Sequence, residues 1–149
     1  MKASNLKVRG GRWEDASSVV ALIGQLAGAL EIPRRLSEGH VCRAMRSEGF
    51  GLLVAEQASS IFAVLTYNVR PSLSHREGCC LIEEPVVDAA HPGQGIGTAS
   101  VDALLGLMEA QGWAEVSMST MPDNPQAIAF YRSLGFMDEA GLLERHRQG

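Results

Sequence analysis

The sequence predicts an α/β fold with a mixed sheet and helices on both of its faces. Short apolar runs typical of strands alternate with segments whose apolar residues recur at helical spacing. A glycine-rich turn separates a strand from a helix within residues 86–113. With 149 residues, 46% of them hydrophobic, the chain is long enough for one core, and no linker or repeat divides it. We therefore expect a single domain over residues 1–149, in the order β-α-α-β-β-β-α-β-α-β.

The first third of the chain predicts one strand and two helices. Leu6–Gly10 is the expected strand, and Glu14–Leu30 the first helix. Pro33 breaks that helix, and Ser37 can cap a second, shorter helix that runs through Met45. The first helix has one apolar stripe, formed by Val19, Leu22, Ile23, Leu26 and Leu30.

Three strands are predicted for the middle of the chain. Gly49–Gln57 and Ser59–Val69 are apolar runs joined by a tight turn around residues 58–60. A polar loop, Arg70–Gly78, follows them. The third strand, Cys79–Asp88, leads into the glycine turn.

The glycine turn has the composition of an anion-binding site. Gly93, Gly95 and Gly97 let the backbone approach an anion, and the unpaired amides that begin the next helix can bind it. Thr98 can add a hydroxyl donor, and Gly112 would end the helix that follows in a left-handed conformation. The turn alone is also compatible with a packing device, a dinucleotide fingerprint or a P-loop. No lysine follows the glycines as in a P-loop, and too little chain remains after them for a dinucleotide-binding fold.

The last third of the chain predicts a strand, a helix and a closing strand. Ala114–Thr120 alternates as a strand does. Asn124 can cap the following helix, which Gly135 would end in a left-handed conformation. Gly141–His146 is the predicted final strand.

Composition excludes some classes of function. A net charge of −4 argues against a protein that coats nucleic acid, and no run approaches the roughly 20 apolar residues that span a membrane. The N-terminus has no apolar core of signal-peptide type. Neither the cysteines nor the histidines have metal-ligand spacing, so we expect no metal. We expect the cysteines to be small buried apolar residues in a reducing compartment, and the protein to be cytoplasmic. These cysteines are Cys42, Cys79 and Cys80.

Two segments together resemble a known family. Val87–Thr98 reads V-D-A-A-H-P-G-Q-G-I-G-T and is similar to the acetyl-CoA pyrophosphate loop of the GNAT N-acetyltransferases. Asn124–Phe136 reads N-P-Q-A-I-A-F-Y-R-S-L-G-F and is similar to the family's second signature. Leu81–Val87 resembles the L-x-E-D-x-x-V strand of the diamine-acetyltransferase-like branch.

The resemblance implies the GNAT fold, with a splayed sheet, acetyl-CoA as acetyl donor and an amine as acceptor. It places Tyr131 at the sulfur as the acid that protonates the leaving thiolate, and Asn124 beside the pantetheine arm. The strand residues that would line that arm are Pro85, Val86 and Val87. The residues that would hold the pyrophosphate are Gly93, Gln94, Gly95, Ile96, Gly97 and Thr98.

The base that deprotonates the amine is expected to be Glu83 or Glu84. Glu83 aligns with the glutamate of the branch motif. Consecutive strand residues point to opposite faces, so we expect only one of the two in the cleft. Carboxylates on a strand are also commonly part of a solvated face, and the sequence leaves that alternative open.

Two prolines depart from the family pattern. Pro92 stands where the family has Arg or Gln, and Pro85 removes an amide hydrogen near the acetyl carbonyl. They favour, as the alternative, a non-catalytic CoA-binding or interaction module of the same fold. Neither nucleic acid nor membrane is expected as a partner. A homodimer is expected, with Leu142 and Leu143 as a contact, while the acceptor and the gating role of Arg34 and Arg35 stay open.

Overall fold

A computed structural model describes residues 5–29, 35–120 and 123–148. A single 3-10 turn, Trp13–Asp15, precedes the first helix. In chain order, the strands and helices are β1 Lys7–Gly10, α1 Ala16–Ala29, α2 Glu38–Met45, β2 Phe50–Gln57, β3 Ser60–Arg70, β4 Cys79–Val87, α3 Ile96–Gln111, β5 Glu115–Met118 and α4 Pro125–Ser133.

The strands form one five-stranded sheet in the order β1-β2-β3-β4-β5. The first four strands pair antiparallel, and β5 joins β4 in parallel, so the predicted mixed sheet is confirmed. A tight turn joins β2 to β3, a longer loop joins β3 to β4, and helices α1 and α2 lie between β1 and β2. Helix α3 provides the crossover that the parallel pair of β4 and β5 requires.

Helices cover both faces of this sheet, as predicted. The α1–α2 face of the sheet buries Leu52, Val54, Val64 and Val86 against the two N-terminal helices. The α3–α4 face buries Leu53, Leu65, Cys80 and Ile82 against the two C-terminal helices. The most deeply buried side chains lie in these two layers, including Val54, Val64, Leu65 and Leu104.

The predicted helix ends are confirmed where the structure describes them. The Ser37 hydroxyl accepts a hydrogen bond from the His40 amide at 3.1 Å, and Asn124 Oδ1 accepts one from the Ala127 amide at 3.1 Å. Gly112 and Gly135 adopt left-handed conformations just after α3 and α4. The predicted break at Pro33 lies outside the described residues.

The predicted final strand, Gly141–His146, is wrong. These residues form no strand, and Leu142 and Leu143 are 63% and 99% exposed. A strand needs a neighbour that accepts its ladder of hydrogen bonds, and this segment pairs with none of the described strands. A pair of adjacent leucines therefore does not suffice to make it a strand. Among the helices of the described residues, none has both the length and the apolar character to cross a membrane.

A partly buried charge network ties β1 to β2 and to the start of α1. Arg9 donates to Asp15 Oδ2 at 2.8 Å and to Glu56 Oε2 at 3.0 Å, and the Arg12 amide also donates to Asp15 at 2.7 Å. The side chains of Arg9 and Asp15 are only 11% and 9% exposed. The hydrogen bond from Arg9 is the main cause that holds the pKa of Asp15 below its ordinary 3.8.

We expect Asp15→Ala to lower the free energy of unfolding by about 2 kcal/mol, because the partly buried guanidinium of Arg9 keeps Glu56 but loses its closest partner. The folded-state pKa of Asp15 is depressed. Its contribution is therefore present above the unfolded pKa and is lost as the pH falls through the folded value. Urea denaturation should show the full difference at pH 7 and a smaller one in acid. Glu14→Ala, at an exposed neighbour, is the control, and an equal effect of both variants would contradict the role of Asp15.

Candidate functional site

The glycine turn leaves a row of backbone amides open at the start of α3. Gly93 and Gly95 have φ angles of 69° and 73°, in the left-handed region that glycine adopts without strain. Gly95 is the residue before the helix and provides no side-chain cap. The first helical hydrogen bond runs from the Ala99 amide to the Gly95 carbonyl at 3.0 Å. The amides of Ile96, Gly97 and Thr98 therefore lack helical partners and are placed to bind an anion.

These amides belong to a cavity of about 430 Å³ beside the turn. A Cβ atom added at Gly97 would lie 3.6 Å from both Phe130 and Val87, so α4 and β4 wall the cavity next to this glycine. The lining residues include all of the predicted pyrophosphate-binding residues: Gly93, Gln94, Gly95, Ile96, Gly97 and Thr98. Of the predicted arm-lining residues, Val87 lines the cavity, whereas Val86 is buried in the α1–α2 face.

The start of the turn is fixed by a contact that the sequence analysis missed. Gln25 of α1 accepts a hydrogen bond from the Ala89 amide at 3.0 Å and donates one to Asp88 at 3.2 Å. Asp88 also accepts a bond from the Ala90 amide at 3.1 Å, and this bond is the main cause that lowers the pKa of the carboxyl. No local sequence signal marks Gln25, because its partners lie 63 and 64 residues away.

Strand β4 parts from β5 halfway along its length. The parallel pairing covers Cys79–Ile82 and ends where Ile82 meets Met118. The remaining part of β4, residues 83–87, has no strand partner on that side among the described residues. Its backbone groups there are available to an extended ligand that pairs as an added strand does. Pro85 lies in this free stretch, where its missing amide hydrogen costs no ladder bond to β5.

A β-bulge lies opposite this parting and corrects the expected directions of Glu83 and Glu84. In the β3–β4 pairing, Thr66 pairs with Glu84 and Tyr67 with Ile82, so Glu83 is the extra residue. The Thr66 hydroxyl donates to the Glu84 carboxylate, and Asn68 Nδ2 donates to Glu83 Oε1 at 3.3 Å. Because Thr66 and Asn68 are two residues apart on one strand, both carboxylates contact the same face of it. The expectation that the two glutamates point to opposite faces is therefore wrong.

The two carboxylates differ in their surroundings. Glu83 is exposed, whereas Glu84 is half-buried and contacts the 4% exposed Thr66 through its backbone amide as well as its carboxylate. Glu84 lies opposite Thr66, two residues before Val86, which is opposite Val64 in the α1–α2 face. The bulge therefore directs the carboxylates toward the side of the sheet that α1 and α2 cover.

Tyr131 lies in the layer between α4 and the sheet, next to the cavity wall formed by Phe130. It is 8% exposed and packs edge to face against Phe130 and Phe136, with ring centroids 5.0 and 5.4 Å apart. Burial raises the pKa of its phenol to about 12. At neutral pH this hydroxyl therefore keeps its proton and is a hydrogen-bond donor. Asn124 is exposed and caps α4, as described above.

Comparisons with known proteins identify the family. The sequence profile described as "Acetyltransferase (GNAT) family" matches residues 19–136. The chain therefore belongs to the GNAT acetyltransferases, a family of enzymes that use acetyl-CoA as the acetyl donor. The family and the enzyme class predicted from the sequence are thus confirmed. No curated protein sequence matches this chain at a significant level.

Solved structures confirm the fold. A transcriptional regulator from Bacillus halodurans has a TM-score of 0.85 at 22% identity, covering 95% of this chain and 99% of its own. An aminoglycoside acetyltransferase from an uncultured soil metagenomic sample, in complex with sisomicin, has a TM-score of 0.83 at 20% identity, with 97% and 96% covered. A ribosomal-protein-alanine N-acetyltransferase from Brucella melitensis has a TM-score of 0.79 at 16% identity, with 95% and 99% covered. Identities this low establish the shared fold alone.

The raised pKa of Tyr131 can be measured directly, because the chain has two tyrosines. Burial also raises the pKa of Tyr67, so we expect the tyrosinate absorbance to rise at a higher pH than it does for free tyrosine. In Tyr67→Phe, the remaining phenol should titrate at a pKa of about 12, and at about 10 in urea. The stability that Tyr131 contributes is complete below the unfolded pKa and is lost as the pH rises through the folded one. A folded-state midpoint near 10 would contradict the buried environment.

Proposed function

We propose that this enzyme transfers an acetyl group from acetyl-CoA to a primary amine by direct attack on the thioester. The observation that carries the proposal is that two adjacent stretches of backbone have amide and carbonyl groups open to a ligand. The amides at the start of α3 suit a pyrophosphate, and the unpaired part of β4 suits the extended pantetheine arm. The two stretches are continuous, because β4 leads directly into the glycine turn.

Acetyl transfer requires a neutral amine, and a free alkylamine with a pKa of about 10.4 is mostly protonated at pH 7. In our proposal, Glu83 takes this proton, directly or through water. Its carboxylate is exposed and is oriented by the Asn68 amide, which leaves it free to accept a proton. Glu84, whose carboxylate accepts the Thr66 hydroxyl, adds negative charge that attracts the ammonium form of the acceptor.

Tyr131 is the proposed donor to the departing sulfur. Its phenol is protonated throughout the physiological range, and aromatic packing fixes the ring. A donor with a fixed ring beside the developing thiolate would stabilise the transition state without reorganising at the moment of reaction. The negatively charged oxygen of the tetrahedral intermediate requires a hydrogen-bond donor of its own, and Pro85 has no amide hydrogen to provide one. We assign that role to water, because the Asp88 amide donates to the Phe62 carbonyl of β3 and the alternation of the strand directs the Val86 amide to β3 as well.

The acceptor is proposed to be a cationic amine, as in the diamine-acetyltransferase-like branch. The support is the pair of carboxylates that the bulge directs to one side of the sheet. Structural neighbours include proteins named as aminoglycoside and ribosomal-protein-alanine acetyltransferases, so the fold itself accommodates different amines. The negative net charge of the chain favours encounter with such acceptors.

We further propose a homodimer, in which the final segment of each chain covers its partner. The support is the exposure of Leu142 and Leu143 in a segment that has no strand partner among the described residues. Contact with a second copy of the chain would remove the apolar surface of both leucines from water. Sedimentation equilibrium at micromolar concentration would show a monomer if the proposal is wrong.

The proposed transfer is tested by following release of the CoA thiol with a panel of mono- and diamines, beside calorimetric titration with acetyl-CoA. We expect Tyr131→Phe to keep the affinity for acetyl-CoA and to lower kcat about 100-fold, the range typical of a lost general acid. Tyr67→Phe, at a site in the same layer, should retain activity. Binding without turnover in the unmodified chain would instead indicate the non-catalytic CoA-binding alternative.

The assignment of the base is tested by Glu83→Gln and Glu84→Gln. We expect Glu83→Gln to lower kcat about 100-fold at pH 7 and to regain rate at high pH, where the free amine needs no base. Glu84→Gln should mainly raise KM for a diamine, since it removes charge and not the proton acceptor. Glu109→Gln, on an exposed position of α3, is the control. An unchanged pH profile in Glu83→Gln would contradict its role.

A further inference from the structure

We propose that His75, Cys79 and Glu115 form a zinc site at the opposite end of β4 from the glycine turn. One ligand atom from each residue lies within 4.8 Å of the others, and His75 Nε2 is 3.6 Å from Glu115 Oε2. In a tetrahedral zinc site, bonds of 2.0–2.3 Å place neighbouring ligand atoms about 3.4 Å apart. The three side chains therefore reach zinc distances with movements of about 1 Å.

The backbone brings the three residues together from distant parts of the sequence. Cys79 and Glu115 begin β4 and β5 and are directly paired in the parallel ladder. The Gly78 amide donates to the His75 carbonyl at 3.4 Å, and the Ala114 amide donates to the Gly78 carbonyl at 3.0 Å. The loop that carries His75 is thus folded against the start of β5. Sequence spacing could not reveal the site, because Glu115 is 36 residues beyond Cys79.

The surroundings are those of a metal site and not only of an ion pair. The Ser117 hydroxyl donates to Glu115 Oε1 at 3.0 Å, which leaves Oε2 on the side of His75. Hydrogen bonds of this kind orient the ligands of metal sites. Cys79 is 4% exposed, so its sulfur forms the inner wall, and the half-exposed histidine and glutamate give ions access from solvent.

The chemistry of the ligands selects zinc. A thiolate with an imidazole and a carboxylate suits a borderline-soft cation and disfavours magnesium and calcium, which prefer oxygen alone. A thiolate and a carboxylate neutralise the two charges of Zn²⁺, and a water molecule would complete the tetrahedron. The site is at the first residue of β4, and the glycine turn follows the ninth, about 26 Å away at 3.3 Å per residue. We therefore assign the ion a structural role, which is to fasten the β3–β4 loop to β5.

The test is titration of the purified chain, first treated with a chelator, with Co²⁺ and then Zn²⁺. We expect one equivalent of Co²⁺ to bind with a thiolate-to-cobalt charge-transfer band, and Zn²⁺ to displace it. Cys79→Ser should abolish that band. Glu115→Gln is an isosteric change at a half-exposed position. Loss of a hydrogen bond that only supports a ligand weakens metal binding by up to about 100-fold, so loss of the ligand itself should weaken Zn²⁺ binding by at least about 100-fold.

Two matched controls keep the test specific. His146→Ala removes a His–Glu pair of 3.2 Å that has no cysteine beside it in the described residues, and Cys42→Ser removes the thiol of α2. Both should bind Zn²⁺ as the unmodified chain does. Absence of Co²⁺ binding in the micromolar range, or binding that survives both Cys79→Ser and Glu115→Gln, would overturn the proposal and leave His75 and Glu115 as a surface ion pair. Slower hydrogen exchange in residues 72–78 on adding Zn²⁺ is expected, and unchanged exchange would overturn the structural role.

Discussion

The candidate site depends on one constraint, which is that β4 has two neighbours for only the first part of its length. Among the described residues, it pairs with β3 on one side and β5 on the other up to Ile82, and with β3 alone beyond Ile82. The bulge at Glu83 occurs at the same point. A strand held from both sides is restrained in twist and register, whereas a strand with one neighbour can accept an extra residue and turn away. The parting and the bulge are therefore two parts of one deformation.

The deformation reverses which side chains of β4 face each layer. Before it, Cys80 and Ile82 point toward α3 and α4. After it, Val86, also an even-numbered residue, points toward α1 and α2 instead. The inserted residue shifts the alternation by one, as any odd insertion in a two-residue period must. As a result, Val87 reaches the glycine cavity, and the carboxylates of Glu83 and Glu84 are directed to the α1–α2 side of the sheet.

Local signals were sufficient to predict much of this structure. Ser37, Asn124, Gly112 and Gly135 act at helix ends through neighbours within a few residues, so their roles are encoded locally and were predicted correctly. The cavity-lining glycines were likewise predicted, because left-handed backbone and open amides depend on the turn itself. The order of strands followed from alternating apolar runs.

The errors and omissions share a physical cause, since each depends on contacts between distant residues. The bulge at Glu83 exists only in the register of β4 against β3. The clamp from Gln25 to Asp88 spans 63 residues. The wrong prediction of a strand at Gly141–His146 has the same cause, because a strand needs a neighbour to pair with, and this segment has none among the described strands. The structure adds the long-range pairing that a single sequence does not contain.

The Gln25 clamp connects the two sides of the proposed chemistry. It joins α1, which covers the face to which the two glutamates are directed, to the first residues of the turn that would hold the pyrophosphate. If an acceptor displaced α1, the hydrogen bond between Gln25 and the Ala89 amide would change. A pyrophosphate bound at the turn would in turn restrain α1 through the same bond. Such coupling must act equally in both directions, because it is a property of the equilibrium between the two sites.

The high pKa of Tyr131 limits what that residue can do in the reaction. With a phenol pKa of about 12 and a thiol pKa of about 8.5, complete proton transfer to a free thiolate is uphill by roughly 5 kcal/mol. The same burial that causes this penalty strengthens a hydrogen bond from the phenol to developing negative charge, because the local dielectric is low. In our proposal, the hydrogen bond from the phenol therefore stabilises the sulfur as the carbon–sulfur bond breaks. The CoA thiolate gains its proton only when the two products separate and water reaches the sulfur. A buried donor of this kind favours the transition state over both the intact thioester and the released thiol, and that difference is what lowers the barrier.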